Sequence, residues 1–322
     1  MVADISIQRS VIEILKSKPR TLSAEIIPPR NGAETEAVLK QIERLKTVPV
    51  DFISVTKGAG GSLRGGTLPI AQTIKSQFGI CALAHFTCRD YTVEEVENNL
   101  MDHHYFGIGN ILALRGDPPT GQPDHFKPAP NRHSYAWQLV DQICRMNQGR
   151  YLARGGYDTP VDSKEDSLRK VRRGTPTNFC IGVAAHPELE PHSDAVEFLR
   201  CKVERGASYA ITQMLFSVDS YKRFLESCAA RGIHIPIIPG IRIVTQASTA
   251  ERLLSRKEFG VKIPANFLEK LQNARSKEDA KQIGLNHAFE LCQGLFAAGA
   301  PGVHVFVMND ENTASDLLIS LK

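Results

Sequence analysis

Short apolar runs alternate along the chain with longer segments whose apolar residues recur at helical spacing, and the alternation repeats eight times in 322 residues. The runs are 21–29 (TLSAEIIPP), 51–56 (DFISVT), 81–87 (CALAHFT), 110–116 (NILALRG), 179–186 (FCIGVAAH), 209–215 (YAITQML), 235–241 (IPIIPGI) and 302–308 (GVHVFVM). Between them, sets such as Val38, Ile42 and Leu45, or Val196, Leu199 and Val203, mark one face of a helix. Near-continuous hydrophobic strands separated by helices predict a parallel sheet covered on both faces. Eight such units predict one α/β domain over residues 1–322, a (β/α)8 TIM barrel, preceded by a short amphipathic helix at about 5–18. Two connections are long. Residues 117–133, with five prolines, follow the fourth strand and are expected on the face at the C-terminal strand ends, as a stiff cover. Residues 148–176 precede the fifth strand and read as a charged, solvated insertion toward the opposite face.

In such a barrel the catalytic groups belong at the C-terminal ends of the strands. Those ends carry Glu25, Thr56, His85, Arg115 with Asp117, His186, Gln213, Arg242 and Asn309. Core strands have no packing reason to finish on such groups, because an unpaired buried charge costs several kcal/mol (roughly 3–5). A shared polar ligand pocket accounts for all of them. Alternation along a strand puts Ser23, Glu25 and Ile27 on the inner face and Leu22, Ala24 and Ile26 against the helices. The same counting takes Ile111 and Ala113 as interior, with Arg115 and Asp117 emerging on their side, and groups Ile211, Gln213 and Leu215. A carboxylate among apolar neighbours should titrate high, which makes Glu25 a candidate general acid; an ion pair with Arg115 is the alternative.

Composition narrows the ligand class. Thirty-nine basic against 35 acidic residues give a net charge of +4, too mild to imply nucleic acid or a membrane surface as partner, so a small molecule is expected. Seven cysteines without a CxxC pair fit a reducing cytoplasm. The N-terminus carries Asp4 and Glu13 and no long apolar stretch, so neither a signal peptide nor a membrane span is expected. His85, His186 and His304 lie on strands without HxH or HExxH spacing, and no metal site is expected. The glycine-dense segment 57–66 (KGAGGSLRGG) has neither the GxGxxG nor the GxxxxGK[ST] spacing of a phosphate loop and reads as a strand-to-helix loop. What is left is a metal-free pocket with acid, amide and cationic groups, suited to a large planar ligand and to proton or hydride chemistry.

The motifs AEIIPPR (Glu25), SVTKGAGG (Thr56, Ala59), HFTC (His85), LRGDPP (Arg115 to Asp117), ITQMLF (Gln213) and IPIIPGI, in this order over about residues 20–310, resemble the catalytic domain of the methylenetetrahydrofolate reductases. That resemblance implies a flavin-containing (β/α)8 barrel in which NADH or NADPH reduces FAD, and 5,10-methylenetetrahydrofolate then takes the hydride to become 5-methyltetrahydrofolate. It implies Glu25 as general acid, Asp117 beside flavin and pterin, and Gln213 as hydrogen-bond partner of folate or nicotinamide. FAD contacts would come from Thr56, Ala59, His85, Leu114, Arg115, Gly116, Asp117, Tyr135, Ala136, His186 and Lys202. A homo-oligomer is expected, and the short stretch after the last strand suggests no built-in regulatory domain.

The chain also departs from the family pattern. His186 stands where a tyrosine is usual, Glu190 lies near a usual histidine position, and Phe198 and Cys201 replace an asparagine and an arginine that help hold FAD. PGIRIVT brings Arg242 into a turn that normally reads PGI-Leu/Met-Pro, Leu253 replaces an aromatic that stacks on the ligand, and Asp310 replaces an arginine. Arg242 is therefore expected to contact substrate and take over part of the lost cationic role. Competing readings are a flavin-independent NAD(P)H reductase of the same or a related pterin, a methyl-pterin-handling methyltransferase barrel, and a non-catalytic folate-binding protein.

Overall fold

The computed structural model describes residues 6–62, 65–117, 131–153, 171–255 and 260–322. The strands, in chain order, are β1 (Thr21–Ile26), β2 (Phe52–Val55), β3 (Cys81–Thr87), β4 (Asn110–Leu114), β5 (Arg150–Leu152), β6 (Val171–Arg173), β7 (Cys180–Ala185), β8 (Tyr209–Leu215), β9 (Ile237–Ile241) and β10 (Gly302–Phe306). Eight of them close into a parallel barrel in the order β1-β10-β9-β8-β7-β4-β3-β2, and helices separate successive barrel strands. The eight barrel strands fall on the eight predicted runs. Two ends are trimmed by proline, which cannot donate to a ladder: β1 stops before Pro28, and β9 starts after Pro236, whose carbonyl still accepts from Ala210 N at 2.8 Å.

Four expectations need correction. The insertion at 148–176 is not simply loop: β5 and β6 pair antiparallel at its base, with Tyr151 opposite Arg172 and the guanidinium 4.9 Å from the ring. Its middle, 154–170, and most of the proline-rich cover, 118–130, lie outside the described residues. The N-terminal helix runs from Val11 to Ser17, shorter than predicted, because Ser10 and Glu13 form a capping box that sets its start.

The third correction concerns which side of β4 faces in. Ile111 and Ala113 pack with Val96, Leu100 and Leu139 in the strand–helix layer. Leu112 instead joins Phe52, Leu83, Cys180, Tyr209, Ile211 and Ile238, one set of residues that seven strand positions can share only inside the barrel. Val11 and Leu15 belong to the same cluster, so the first helix closes the end of the barrel at the N-terminal ends of the strands. Val11 N donates to Asn110 Oδ1 at 2.8 Å and Gln8 exchanges two hydrogen bonds with Ala82, at 2.6 and 2.8 Å. Burial of each large apolar side chain in that plug contributes about 1.5–3 kcal/mol. Gly182 is required there: a Cβ would stand 2.4 Å from the Tyr209 ring.

Strand β8 breaks its own alternation. Its register against β9 shifts between Ile211 and Met214, where Thr212 Oγ1 accepts from Gly240 N at 2.9 Å. This bulge separates Ile211, which faces the interior, from Leu215, which packs in the helix layer, so the grouping of Ile211, Gln213 and Leu215 on one side does not hold.

Candidate active site

Above the apolar plug, the interior changes character. Pairing of β1 with β10 and β2 sets Ser23 level with His304 and Glu25 level with Ser54. Ser23, Ser54 and His304 are each fully buried. Ser23 Oγ donates to Val303 O at 3.1 Å, which leaves His304 Nδ1 as donor to Ser23 Oγ at 2.8 Å. His304 Nε2 then accepts, from Ser54 Oγ at 3.2 Å, and lies 3.7 Å from Glu25 Oε2. Phe52 stacks on the same imidazole at 5.9 Å.

Glu25 is therefore not in the apolar setting that its sequence neighbours suggested, and its ion-pair partner is not Arg115. Its Oε2 lies 3.4 Å from His85 Nε2 on β3 and 3.7 Å from His304, with 13% of the side chain exposed. Burial pushes His85 down to about 4, against the pull of Glu25 and with a smaller push from His304. His85 is thus neutral near pH 7. The carboxyl of Glu25 thus stands at the end of a barrel strand between two imidazoles, within reach of a ligand at the mouth.

On the β2–β4 side, Thr56 is 4% exposed and its Oγ1 has no hydrogen-bond partner among the described residues. A buried hydroxyl without a partner is costly unless a ligand supplies one. Ala59 opens a tight turn to Gly61, and Gly60 N donates to Asp117 Oδ2 at 2.8 Å. The buried Arg89, ion-paired to Asp90 at 2.6 Å, also donates to the Asp117 carbonyl. Arg115 and Asp117 are exposed, on a turn where Gly116 has φ 95° and where a Cβ would meet Arg89 and Thr87 at 3.2 Å. Leu114 ends β4 just before them, and its carbonyl accepts from Cys88 N at 3.2 Å.

Cations gather on the β4–β7 side. Lys202 is 7% exposed, donates to Ala184 O and is pushed down to about 8 by burial. His186, half-buried, is pushed down to about 4 by burial, then by Lys202 and Arg115. Among the described residues no carboxylate forms an ion pair with Arg115 or Lys202. Tyr135 is exposed and stacks on Trp137 at 6.1 Å, and Ala136 starts the helix Ala136–Asn147. Phe198 is 44% exposed, and Cys201 Sγ lies 3.7 Å from Glu197 Oε1. Glu197 in turn is held by Arg200 at 2.6 Å, so this helix face settles its charges internally.

Gln213 sits in the β8 bulge, half-buried, its Oε1 accepting from Met214 N at 3.0 Å. Arg242, just past β9, places NH1 4.0 Å from Met214 Sδ. Leu253 is buried among Met214, Phe216 and Val244, which makes it core rather than a ligand-stacking group. Asp310 caps the helix Glu311–Ser320 by accepting from Thr313 N at 3.1 Å. Asn309 has φ 67° and its Oδ1 accepts from Gln41 at 3.5 Å. Residues that strand-end reading passed over are Ser23, Ser54, Arg89 and, as a partner of Glu25, His304; the first two share the inner face with Glu25 and Thr56, a signal available from alternation. Among the described residues no group of three or more His, Cys, Asp or Glu could hold a metal ion, and no helix is long and apolar enough to cross a membrane.

A family model described as methylenetetrahydrofolate reductase matches residues 10–322. The chain is 32% identical over 297 residues to the 5,10-methylenetetrahydrofolate reductase of Salmonella typhimurium, covering 89% of this chain and 86% of that one. It is 30% identical over 302 residues to a protein of Oryza sativa subsp. japonica named probable methylenetetrahydrofolate reductase (NADH), covering 93% of this chain and 48% of the rice protein. The chain thus spans about half the length of that relative. Among solved structures, an uncharacterized protein from Clostridium thermocellum, described as binding two copies of 5-methyl-5,6,7,8-tetrahydrofolic acid, shares the fold with a TM-score of 0.56. The match covers 95% of this chain and 98% of that one at 17% identity.

Proposed function

Since the chain belongs to the methylenetetrahydrofolate reductase family, we propose that it reduces 5,10-methylenetetrahydrofolate to 5-methyltetrahydrofolate at the barrel mouth, using NADH or NADPH and bound FAD. The observation that carries this reading is Glu25 held between His85 and His304 at 3.4 and 3.7 Å. Opening the five-membered ring of the substrate requires a proton on the departing ring nitrogen. Glu25 delivers that proton, and breaking the C–N bond leaves an electron-poor one-carbon unit ready to accept hydride. Neutral His85 lies beside the carboxyl, and Ser23 and Ser54 hold the His304 ring on its other side.

The residues present fit a flavin dinucleotide. The partnerless Thr56 hydroxyl, the backbone opened by Gly116, and the cations Arg115 and Lys202 without carboxylates suit an isoalloxazine edge and an anionic diphosphate. When bound, FAD supplies the hydride-carrying chemistry, while this chain binds and orients it. His85, Leu114, Gly116 and Ala59 would border the ring system; Tyr135, Ala136, His186 and Lys202 would border the rest. Asp117, now held by Gly60 N, would turn its carboxylate to the pterin, and Gln213 would hydrogen-bond pterin or nicotinamide. The exposed Phe198 and the Cys201 thiol offer the diphosphate half less than a charged pair would.

Glu25→Gln tests the reading by its two half-reactions. The folate half should collapse while transfer from NADH to an artificial acceptor persists; a variant that still reduces methylenetetrahydrofolate at the parent rate overturns the general-acid assignment.

A further inference from the structure

The segment that leaves β3 holds Asp117 from two directions. Arg89 is buried, and its Nε and NH2 donate to the two carboxylate oxygens of its neighbour Asp90 at 2.8 and 2.6 Å. Two parallel hydrogen bonds fix the plane of the guanidinium. Its remaining nitrogen, NH1, is then aimed at the turn after β4 and donates to the Asp117 carbonyl. The main-chain N–H of Arg89 donates to the Arg115 carbonyl at 2.9 Å, so one residue grips the turn on both sides of Gly116. The two backbones lie so close that a Cβ at Gly116 would stand 3.2 Å from the Arg89 Cβ. From the other side, Lys57 holds its ammonium 4.5 Å over the Tyr91 ring and 5.0 Å over the Phe86 ring. It thereby anchors the loop whose Gly60 N donates to Asp117 Oδ2 at 2.8 Å. The backbone of Asp117 and the N–H that receives its carboxylate thus hang from the same stretch, residues 86–91.

Holding a carbonyl does not by itself call for a cation. Taking a guanidinium out of water is costly, and a neutral amide or an apolar side chain would fill the space at less cost. What the guanidinium adds is geometry: a rigid fork, pinned by Asp90, carries the position of β3 to one carbonyl of the turn. A misplacement of about 1 Å at a reacting group can cost on the order of 10²-fold in rate. We infer that Arg89, with its plane set by Asp90, is a positioning residue: it fixes the backbone of Asp117, so that only the side chain turns, from Gly60 N to the pterin. NH1 ends on main chain, so Arg89 acts through Asp117. This role rests on the folate reading above, in which Asp117 faces the pterin.

The test is a double-variant cycle in the whole chain: parent, Arg89→Gln, Asp117→Asn and the two together. Each is measured for folate reduction, for flavin reduction by NADH, and for equilibrium binding of 5-methyltetrahydrofolate, which needs no turnover. Arg89→Gln should slow folate reduction by about 10- to 100-fold and weaken 5-methyltetrahydrofolate binding by about tenfold, while the NADH half-reaction falls by a clearly smaller factor. In the Asp117→Asn background the same change should cost less than about threefold in either folate readout, because the carboxylate it places is gone. Asp90→Asn frees the fork without removing it and should give the same pattern with smaller factors; it carries the test if Arg89→Gln fails to fold. Arg89→Lys keeps the charge but not the fork and should retain only part of the parent rate. Factors that multiply in the double variant overturn the positioning role, as does an equal loss in both half-reactions that tracks a lowered unfolding midpoint. A parent protein that neither binds nor reduces the folate overturns the folate reading, and this role with it.

Discussion

The two ends of the barrel are made from the same strands and solve opposite problems. At the N-terminal ends, Val11 and Leu15 plug an apolar layer of Phe52, Leu83, Leu112 and Ile238, and the polar groups close on one another through Asn110 and Gln8. The Tyr209 hydroxyl is the exception in that layer. At the C-terminal ends, Thr56 Oγ1 and His85 Nε2 have no hydrogen-bond partner among the described residues. What separates the two ends is composition: the N-terminal end closes on an apolar layer, and the C-terminal end sets Glu25 3.4 Å from His85 and 3.7 Å from His304.

Substitutions at the two ends should therefore separate activity from stability. Glu25→Gln should slow folate reduction by about 10²–10⁴-fold, the usual worth of a positioned proton donor. Its effect on chemical denaturation should be smaller than that of any plug residue. Leu112→Ala, at the other end, should cost about 2–5 kcal/mol of unfolding free energy and leave the activity per folded molecule close to the parent.

Acid should erode stability by linkage. His85, His103 and His186 are each held near 4 in the folded chain, below the ordinary value of 6.5. The unfolded chain takes up those protons first as pH falls. Stability is thus full above about 6.5, declines between 6.5 and 4, and levels below 4. For the buried His85 the loss is on the order of 3 kcal/mol, and His85→Gln should flatten that part of a denaturation-versus-pH curve. A curve of unaltered slope in the variant contradicts the neutral assignment. Asn110→Ala, which strands Val11 N, should cost about 1–3 kcal/mol with no selective effect on either half-reaction.

How much of this the sequence announced depends on contrast within each element. All eight barrel strands were legible because short apolar runs alternate with segments of helical spacing. The β5–β6 hairpin was not: three-residue strands rich in arginine carry no periodic signal. Inner and outer faces were legible on β1, where Ser23 and Glu25 interrupt apolar residues, and illegible on β4, where Ile111, Leu112, Ala113 and Leu114 are apolar on both faces. The β8 bulge defeats counting altogether, since one extra residue flips every later side chain. Glu25 itself was readable as a polar strand end. Its partners were not, because His85 and His304 arrive from β3 and from the closing strand β10, and closure of the barrel rather than spacing brings them together.

The central claim is that the unsatisfied end of the barrel is a flavin and folate site. Anaerobic titration of the purified protein with NADH, followed by 5,10-methylenetetrahydrofolate and read at the flavin absorbance band, tests it most directly. The account predicts a yellow protein that bleaches with NADH and regains its colour as the folate is reduced. A colourless protein that still oxidises NADH with the folate, or a bleached one that the folate leaves unchanged, would contradict it.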